Sequence, residues 1–478
     1  MRPVLAIASG LLLAQSAQAQ WTTDNLSSDR REMVAASAGD IAVFAGGRGA
    51  ANSISDIVDI YDASTGTFTA TTLSSPRRQH AAAGEGNLIM IGGGRNGALT
   101  GDIDILDVTT GTWTFDALAV PRANLAAVGV GGKILFAGGR GTAGRSDVVE
   151  IYDIATGTWT QDTLSQPRAG LIGVAAGGRA VFAGGLRLDN QRSRRVDIYD
   201  PVTGTWTDLD LPIGRNLHTG AGVGDFAIFA CGEGSGASTA NVVNVLTGTV
   251  STQVLSAGRI SPAGTSVGGR AFIAGGNTGG FFGQPVDAID IFDAASGTWS
   301  VDELDTGRSE MGATTVRNIA MFGAGFAFSR STLVEILGPV LGEPSCSPAV
   351  TNSSGQGASL YAVGSSVVAD DDLQLFARNL PTDQFGYFIT SMTAANIPMA
   401  GGSQGTLCMA GTTGRFVDQI QNSGSDGIFG IAVDVNNLPA PAGPAILAGD
   451  TWFFQAWFRD NNPGPVSNFT EAIAVTFE

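Results

Sequence analysis

The chain has 478 residues, enough for two or three ordinary domains or for one long repeat array with an added domain. Charged residues make up 14%, against roughly 25% in average soluble proteins, while glycine (68 residues) stands at about twice its usual share and 43% of residues are hydrophobic. Disorder is excluded by so many apolar residues, a helical protein is disfavoured by so much glycine, and a net charge of −17 argues against a nucleic-acid or anionic-membrane surface.

Residues 1–19 read as an export signal. Arg2 gives the positive start, Val4 to Ala14 is an apolar run too short for a bilayer, and Ala17-Gln18-Ala19 is an A-x-A cleavage site. The mature chain is expected to begin at Gln20, with no transmembrane segment after it. The expected location is secreted, extracellular or periplasmic, in a bacterium. In that setting Cys346 and Cys408 are an expected disulfide, and Cys231 is left over.

From Trp21 onward a repeat sets in. An apolar strand ends in a glycine pair or its equivalent, whose first position falls at 46, 93, 138, 184, 231, 275 and 324. A bulky residue stands 25 positions before each: Trp21, Phe68, Trp113, Trp159, Trp206, Val250 and Trp299. Seven units agree in phase, the mark of a repeat architecture. Each unit resolves into four short strands. The first is rich in small residues, as in Ala81-Ala82-Ala83-Gly84. A turn such as Gly39-Asp40 or Gly131-Gly132, of the kind that tolerates positive φ, leads to the second. The third alternates, as in Val58-Asp59-Ile60-Tyr61-Asp62, and the fourth begins at the bulky residue.

Four antiparallel strands per unit predict a propeller blade, with small residues at the crowded axis and aromatic residues at the wide rim. The last unit ends at Gly338-Pro339 with no fourth strand, and Trp21–Leu26 is a fourth strand with no unit before it. The N-terminal segment is therefore expected to complete the seventh blade and remove the exposed edges. The predicted fold is all-β: a seven-bladed propeller over 20–340 closed by the N-terminal strand, then an antiparallel β-sandwich over 345–478.

The glycine pair, the spaced aromatic residue, the Val-Asp-Ile-Tyr-Asp strand and the Pro-Arg before the next unit resemble kelch repeats over about 20–340. Departures are Val250, Cys231 and Ala324. The resemblance implies a propeller like the central domain of galactose oxidase, whose copper site needs two His, two Tyr and a Cys. Here the two histidines are three units apart and the C-terminal region has none, so that copper site is not expected.

Nine positions after each bulky residue stands an arginine: Arg30, Arg77, Arg122, Arg168, Arg215, Arg259 and Arg308. Presence in every unit reads as a structural ring bonded to backbone carbonyls, with a basic mouth for carboxylates or sulfated sugars as the competing reading. A specific site should break the sevenfold pattern, as the next three columns do. Ten past lie Arg31, Arg78, Ala123, Ala169, Asn216, Ile260 and Ser309; eleven past lie Glu32, Gln79, Asn124, Gly170, Leu217, Ser261 and Glu310; the histidines His80 and His218 are twelve past. The kelch resemblance implies that these connections reach one face near the central channel. Glu32, Gln79, His80, Asn124, Asn216, His218 and Glu310 are thus the candidate binding face; Glu32 with Glu310 reads first as solvated loop ends, with an acid–base pair or a cation site as the competing readings. No Walker loop or His-Glu-x-x-His is present, and no residue is assigned as catalytic.

Beyond Pro344 short alternating strands such as Asp372–Ala377 and Gly430–Asp434 predict the sandwich. Trp452-Phe453-Phe454-Gln455-Ala456-Trp457-Phe458 carries aromatics on both faces. It reads as a sugar-stacking platform or as a central strand with its second side partly covered by the propeller. Asp370-Asp371-Asp372 and Asp460-Asn461-Asn462 read as solvated turns, with Ca²⁺ as the competing reading and no other cofactor expected. The leading functional expectation is a non-catalytic module binding a protein or glycan partner. The alternatives are a carbohydrate-modifying, epimerase-like enzyme and a structural cell-surface component.

Overall fold

A computed structural model of the chain describes residues 19–478, apart from 280–282, 318, 340, 347–348, 425–426, 442–444 and 462–463. The expected signal peptide lies almost wholly outside these residues. Among them no α-helix occurs, and the chain divides into two compact units, Trp21–Leu337 and a second containing Gly338–Glu478.

The first unit holds seven four-stranded antiparallel sheets, numbered here in chain order, none of them closed on itself. Their innermost strands are Val34–Ala38, Ala81–Glu85, Ala126–Val130, Ile172–Ala176, Thr219–Val223, Ala263–Val267 and Gly312–Val316. Each lies against the next in cyclic order, and the last lies against the first, the arrangement of a β-propeller. The small residues of these strands have a physical cause. A Cβ on Gly84 would sit 1.8 Å from the Ser37 carbonyl oxygen, and one on Gly129 would sit 2.1 Å from that of Gly84. Backbones thus approach one another so closely at the axis that a larger residue would push them apart.

The second strands, such as Ile41–Ala45 and Lys133–Ala137, are almost wholly buried. Phe44, Phe136, Phe182 and Phe229 are fully enclosed. Phe182, Tyr199 and Trp206 of sheet 4 share a cluster with Leu135, Val149 and Ile151 of sheet 3, so the cores lie between successive sheets. Each such side chain contributes roughly 1.5–3 kcal/mol on burial. The fourth-strand aromatics pack tilted against third-strand rings, Tyr152 with Trp159 at 5.1 Å and Tyr199 with Trp206 at 5.0 Å between centroids. The indole N–H groups of Trp159 and Trp206 donate to Asp116 and Asp162 of the preceding sheet, both at 2.8 Å.

Sheet 7 takes its outer strand from the other end of the chain. Ala19–Arg30 lies beside Ser331–Pro339, with Thr332 Oγ1 donating to Asn25 Oδ1 at 2.7 Å and Thr22 Oγ1 to Ile336 O at 3.4 Å. Sheets 7 and 1 are joined at both ends of their inner strands. The Glu32 N–H donates to Glu310 O at 3.2 Å, the Gly325 N–H to Arg30 O at 2.9 Å, and the Arg317 guanidinium grips Asp40 at 2.7 and 2.8 Å.

In the second unit one sheet runs Glu343–Cys346, Pro465–Thr476, Thr451–Asn461, Phe385–Ser391, Gly414–Arg415, and a three-stranded sheet runs Ser359–Gly364, Leu373–Arg378, Phe429–Val433. Leu360, Leu373, Leu375 and Ile431 of the smaller sheet meet Trp452, Phe454, Phe458 and Ile473 of the larger in one core. The aromatic strand is therefore structural on its first face. Its second face is partly covered from within the unit: the half-buried Phe453 and Trp457 pack on Ile389, Met409 and Phe469, beside the hairpin Thr393–Pro398 and Thr406–Ala410. Cys346 and Cys408 are bridged, with Cα atoms 5.8 Å apart. Asp460 accepts N–H groups from Ser353 and Asn468, Asp371 accepts from Val435, and Asp370 accepts from Ser365 Oγ.

Candidate functional site

All seven ring arginines are buried, and in six sheets each forms an ion pair with an acid of the third strand. The pairs are Arg30–Asp59, Arg77–Asp104, Arg122–Glu150 at 3.1 Å, Arg168–Asp197 at 2.5 Å, Arg259–Asp290 at 2.7 Å and Arg308–Glu335 at 2.9 Å. The same acid accepts a backbone N–H from the connection that carries the arginine, as Asp104 does from Ser74 at 2.8 Å and Asp197 from Ser165 at 2.9 Å. A charge-assisted node thus ties each connection to the sheet that follows. Sheet 5 differs. Arg215 faces Asn241 Oδ1 at 2.8 and 3.1 Å, and its other donors go to Cys231 O, Gly236 O, Thr239 O and Thr239 Oγ1. Burial pulls its pKa down to about 10, which leaves it charged at neutral pH.

The residues eleven past the bulky position form a belt. All seven are left-handed, with φ of 54° at Glu32, 57° at Gln79, 54° at Asn124, 70° at Gly170, 52° at Leu217, 51° at Ser261 and 56° at Glu310. The N–H of Asn124 donates to Gln79 O, Gly170 to Asn124 O, Ser261 to Leu217 O, Glu310 to Ser261 O and Glu32 to Glu310 O, at 2.8–3.2 Å. Asn and Gly suit this conformation; the others bear its strain because the belt requires it.

Just below the belt the inner strands of all seven sheets begin, and their first residues enclose a cavity of about 320 Å³. His80 and His218 line it, yet both are 5% exposed and each places Nε2 on a carbonyl of the preceding sheet, Ala45 O at 3.1 Å and Ala183 O at 3.2 Å. Burial, reinforced by Arg77 and Arg215 respectively, pushes both down to about 3, so both are neutral at physiological pH. They thus stand at the cavity wall as buried, neutral groups. The rest of their column is Met33, Leu125, Leu171, Pro262 and Met311, an apolar series that already indicated burial. Cys231 is likewise enclosed, and burial raises its thiol to about 11, too high for a nucleophile.

Of the remaining candidates, Gln79 and Asn124 stand in the belt on successive sheets. Asn216 is buried and donates Nδ2 to Glu233 Oε2 at 3.2 Å. Glu32 and Glu310 come together, each held by arginines: Arg31 on Glu310 at 2.9 Å, Arg48 and Arg78 on Glu32 at 3.0 and 3.4 Å. Burial and the neighbouring Glu32 charge raise the Glu310 pKa, while Arg31 opposes the rise. Neither carboxylate lines the cavity. Among the described residues no three His, Cys, Asp or Glu side chains converge as a metal site.

One column escaped the sequence reading, the position two past the first glycine: Arg48, Arg95, Arg140, Leu186, Glu233, Asn277 and Phe326. It breaks the sevenfold pattern as strongly as the three considered. It also pairs with the ten-past column through backbone bonds, Arg31 with Arg48, Arg78 with Arg95 and Ala123 with Arg140.

A family model described as the Kelch motif matches residues 121–162, which run from the connection before sheet 3 into its outer strand. Among solved structures the chain resembles one described as "Structure of YjhT", with 16% identity, a TM-score of 0.43, and coverage of 56% of this chain and 96% of that one. No curated protein matches the chain. The chain carries a kelch motif within an all-β arrangement of the β-propeller kind.

Proposed function

We propose that residues 20–340 form a seven-bladed kelch propeller closed by its N-terminal strand, followed by a β-sandwich over 345–478, in an exported protein. It acts as a non-catalytic module that binds a protein partner through the belt face of the channel. The observation that carries this reading is the contrast between columns. The ring arginines repeat in every sheet as buried structure, while the belt residues and the column two past the first glycine change from sheet to sheet and, Asn277 apart, are half-buried or exposed. Kelch repeats generally mediate protein interactions, which favours a protein over a glycan partner.

The enzymatic alternative rests on Glu310, whose raised pKa suits a proton donor. Against it, arginines hold both carboxylates and neither lines the cavity. The cell-surface alternative gives the second unit the attaching role.

A photo-cross-linking side chain replacing Asn124 tests the binding reading. It is expected to capture a protein partner, while the same group replacing Gly178, in the hairpin turn at the far end of sheet 4, does not. Capture from position 178 and not from 124 would contradict the assigned face.

A further inference from the structure

The belt face carries an arginine arc that the fold does not explain. In sheets 1 and 2 an arginine is bonded through its backbone to another, Arg31 with Arg48 at 3.1 and 2.8 Å, Arg78 with Arg95 at 3.2 and 3.0 Å. In sheet 3, Arg140 occupies the corresponding place beside Ala123. Like charges at directly paired positions oppose each other unless an anion is shared between them. The other four sheets manage the same backbone pairing with Leu186, Glu233, Asn277 and Phe326. The pairing itself therefore does not call for arginine.

Two internal carboxylates answer part of this charge. Glu310 sits on Arg31, and Glu32 spans Arg48 and Arg78. Five arginines thus face two glutamates. Along the arc the compensation runs out: among the described residues neither Arg95 nor Arg140 meets a carboxylate, and Arg140 is exposed. Arg95 makes one bond, from its guanidinium to Gly97 O at 3.1 Å. The protein's overall −17 makes a local excess of forks on one face more notable, because guanidinium groups bind carboxylates through parallel N–H donors.

We propose that Arg78, Arg95 and Arg140 receive the carboxylates of an acidic polypeptide segment on the protein partner, continuing the series that Glu310 and Glu32 begin. Polypeptide glutamates already seated on the first arginines of the arc favour a peptide over an acidic polysaccharide. This deepens, and rests on, the binding reading above.

The test is fluorescence anisotropy of a labelled oligoglutamate peptide titrated with the mature protein. Saturable binding that weakens with added salt is expected. Arg95→Glu combined with Arg140→Glu is expected to weaken it about tenfold or more, equivalent to about 1.4 kcal/mol or more. Arg415→Glu, an exposed arginine of the second unit, leaves it unchanged. Thermal melts of each variant confirm that it is folded. The proposal is overturned if the peptide does not bind, if the double variant binds it as well as the parent, or if polygalacturonate binds through these arginines and the peptide does not. Cross-linking from position 124 separates the two levels. Capture there with no peptide binding retains the face and removes its acidic specificity; failure of both removes the face as well.

Discussion

Asp104→Ala is expected to lower the unfolding free energy of the seven-sheet unit by about 3–5 kcal/mol, because it strands the fully buried Arg77 without its counter-charge. The Ser74 N–H and hydroxyl, at 2.8 and 3.1 Å, lose their acceptor in the same step. Arg77 keeps bonds to Ile91 O at 3.0 Å and Ser75 Oγ at 3.3 Å, which do not replace a carboxylate. The pair Arg77→Met with Asp104→Leu should recover most of the loss, since a buried ion pair costs much desolvation and apolar side chains of similar volume avoid it. Denaturant unfolding of the three proteins measures this. A loss under about 1 kcal/mol for Asp104→Ala, the range of surface pairs, would remove the ring from the account of stability. The same reasoning predicts that Asn241→Asp, which supplies Arg215 with a carboxylate where it now has an amide, raises stability.

Acid should destabilise the unit well before its carboxylates titrate. His80 and His218 sit near 3 in the folded protein against 6.5 as the ordinary value, burial being the main cause. The unfolded chain therefore takes up protons that the folded one refuses. The stabilising margin is full above pH ~6.5 and shrinks as the pH falls towards 3. With a slope that approaches about 1.4 kcal/mol per pH unit for each histidine once the unfolded imidazole is protonated, the two together cost about 3 kcal/mol between pH 6.5 and 5. Leucine occupies the same column at 125 and 171, so His80→Leu with His218→Leu is the natural reference. Its stability at neutral pH drops with the loss of the two carbonyl bonds, but its slope between pH 6.5 and 5 should be nearly flat. An unchanged slope would mean that other groups govern the acid response.

The repeat was legible because turn chemistry and the glycine pair recur at fixed offsets. A Cβ on Gly47, at φ +95°, would lie 2.5 Å from Arg31 O, so the position admits little else. The arginine column was legible for the same reason. Its acidic partners were not, because they lie beyond a loop of varying length: Asp59 follows Arg30 by 29 positions, Asp290 follows Arg259 by 31. Asp59 inside an alternating apolar strand was nonetheless a signal of a buried acid. The burial of the histidines was signalled by the apolar column they share with Met33, Leu125, Leu171, Pro262 and Met311. The second face of the Trp452 strand was unreadable, since its cover comes from a hairpin over forty residues earlier in the chain. The arginine arc needed the backbone pairing of two columns, which only the fold brings side by side.

The ring closure proposed above brings together residues from opposite ends of the repeat array, and one cross-link tests it. Asn25→Cys with Thr332→Cys puts thiols where two side chains now bond at 2.7 Å across 307 positions. Mild oxidation of the folded protein is predicted to join them in nearly every molecule, seen as a shifted band on a non-reducing gel, and to raise the melting temperature. Thiols that stay free under those conditions, in a protein that melts like its parent, would contradict the closure and with it the placement of the belt and its arginine arc.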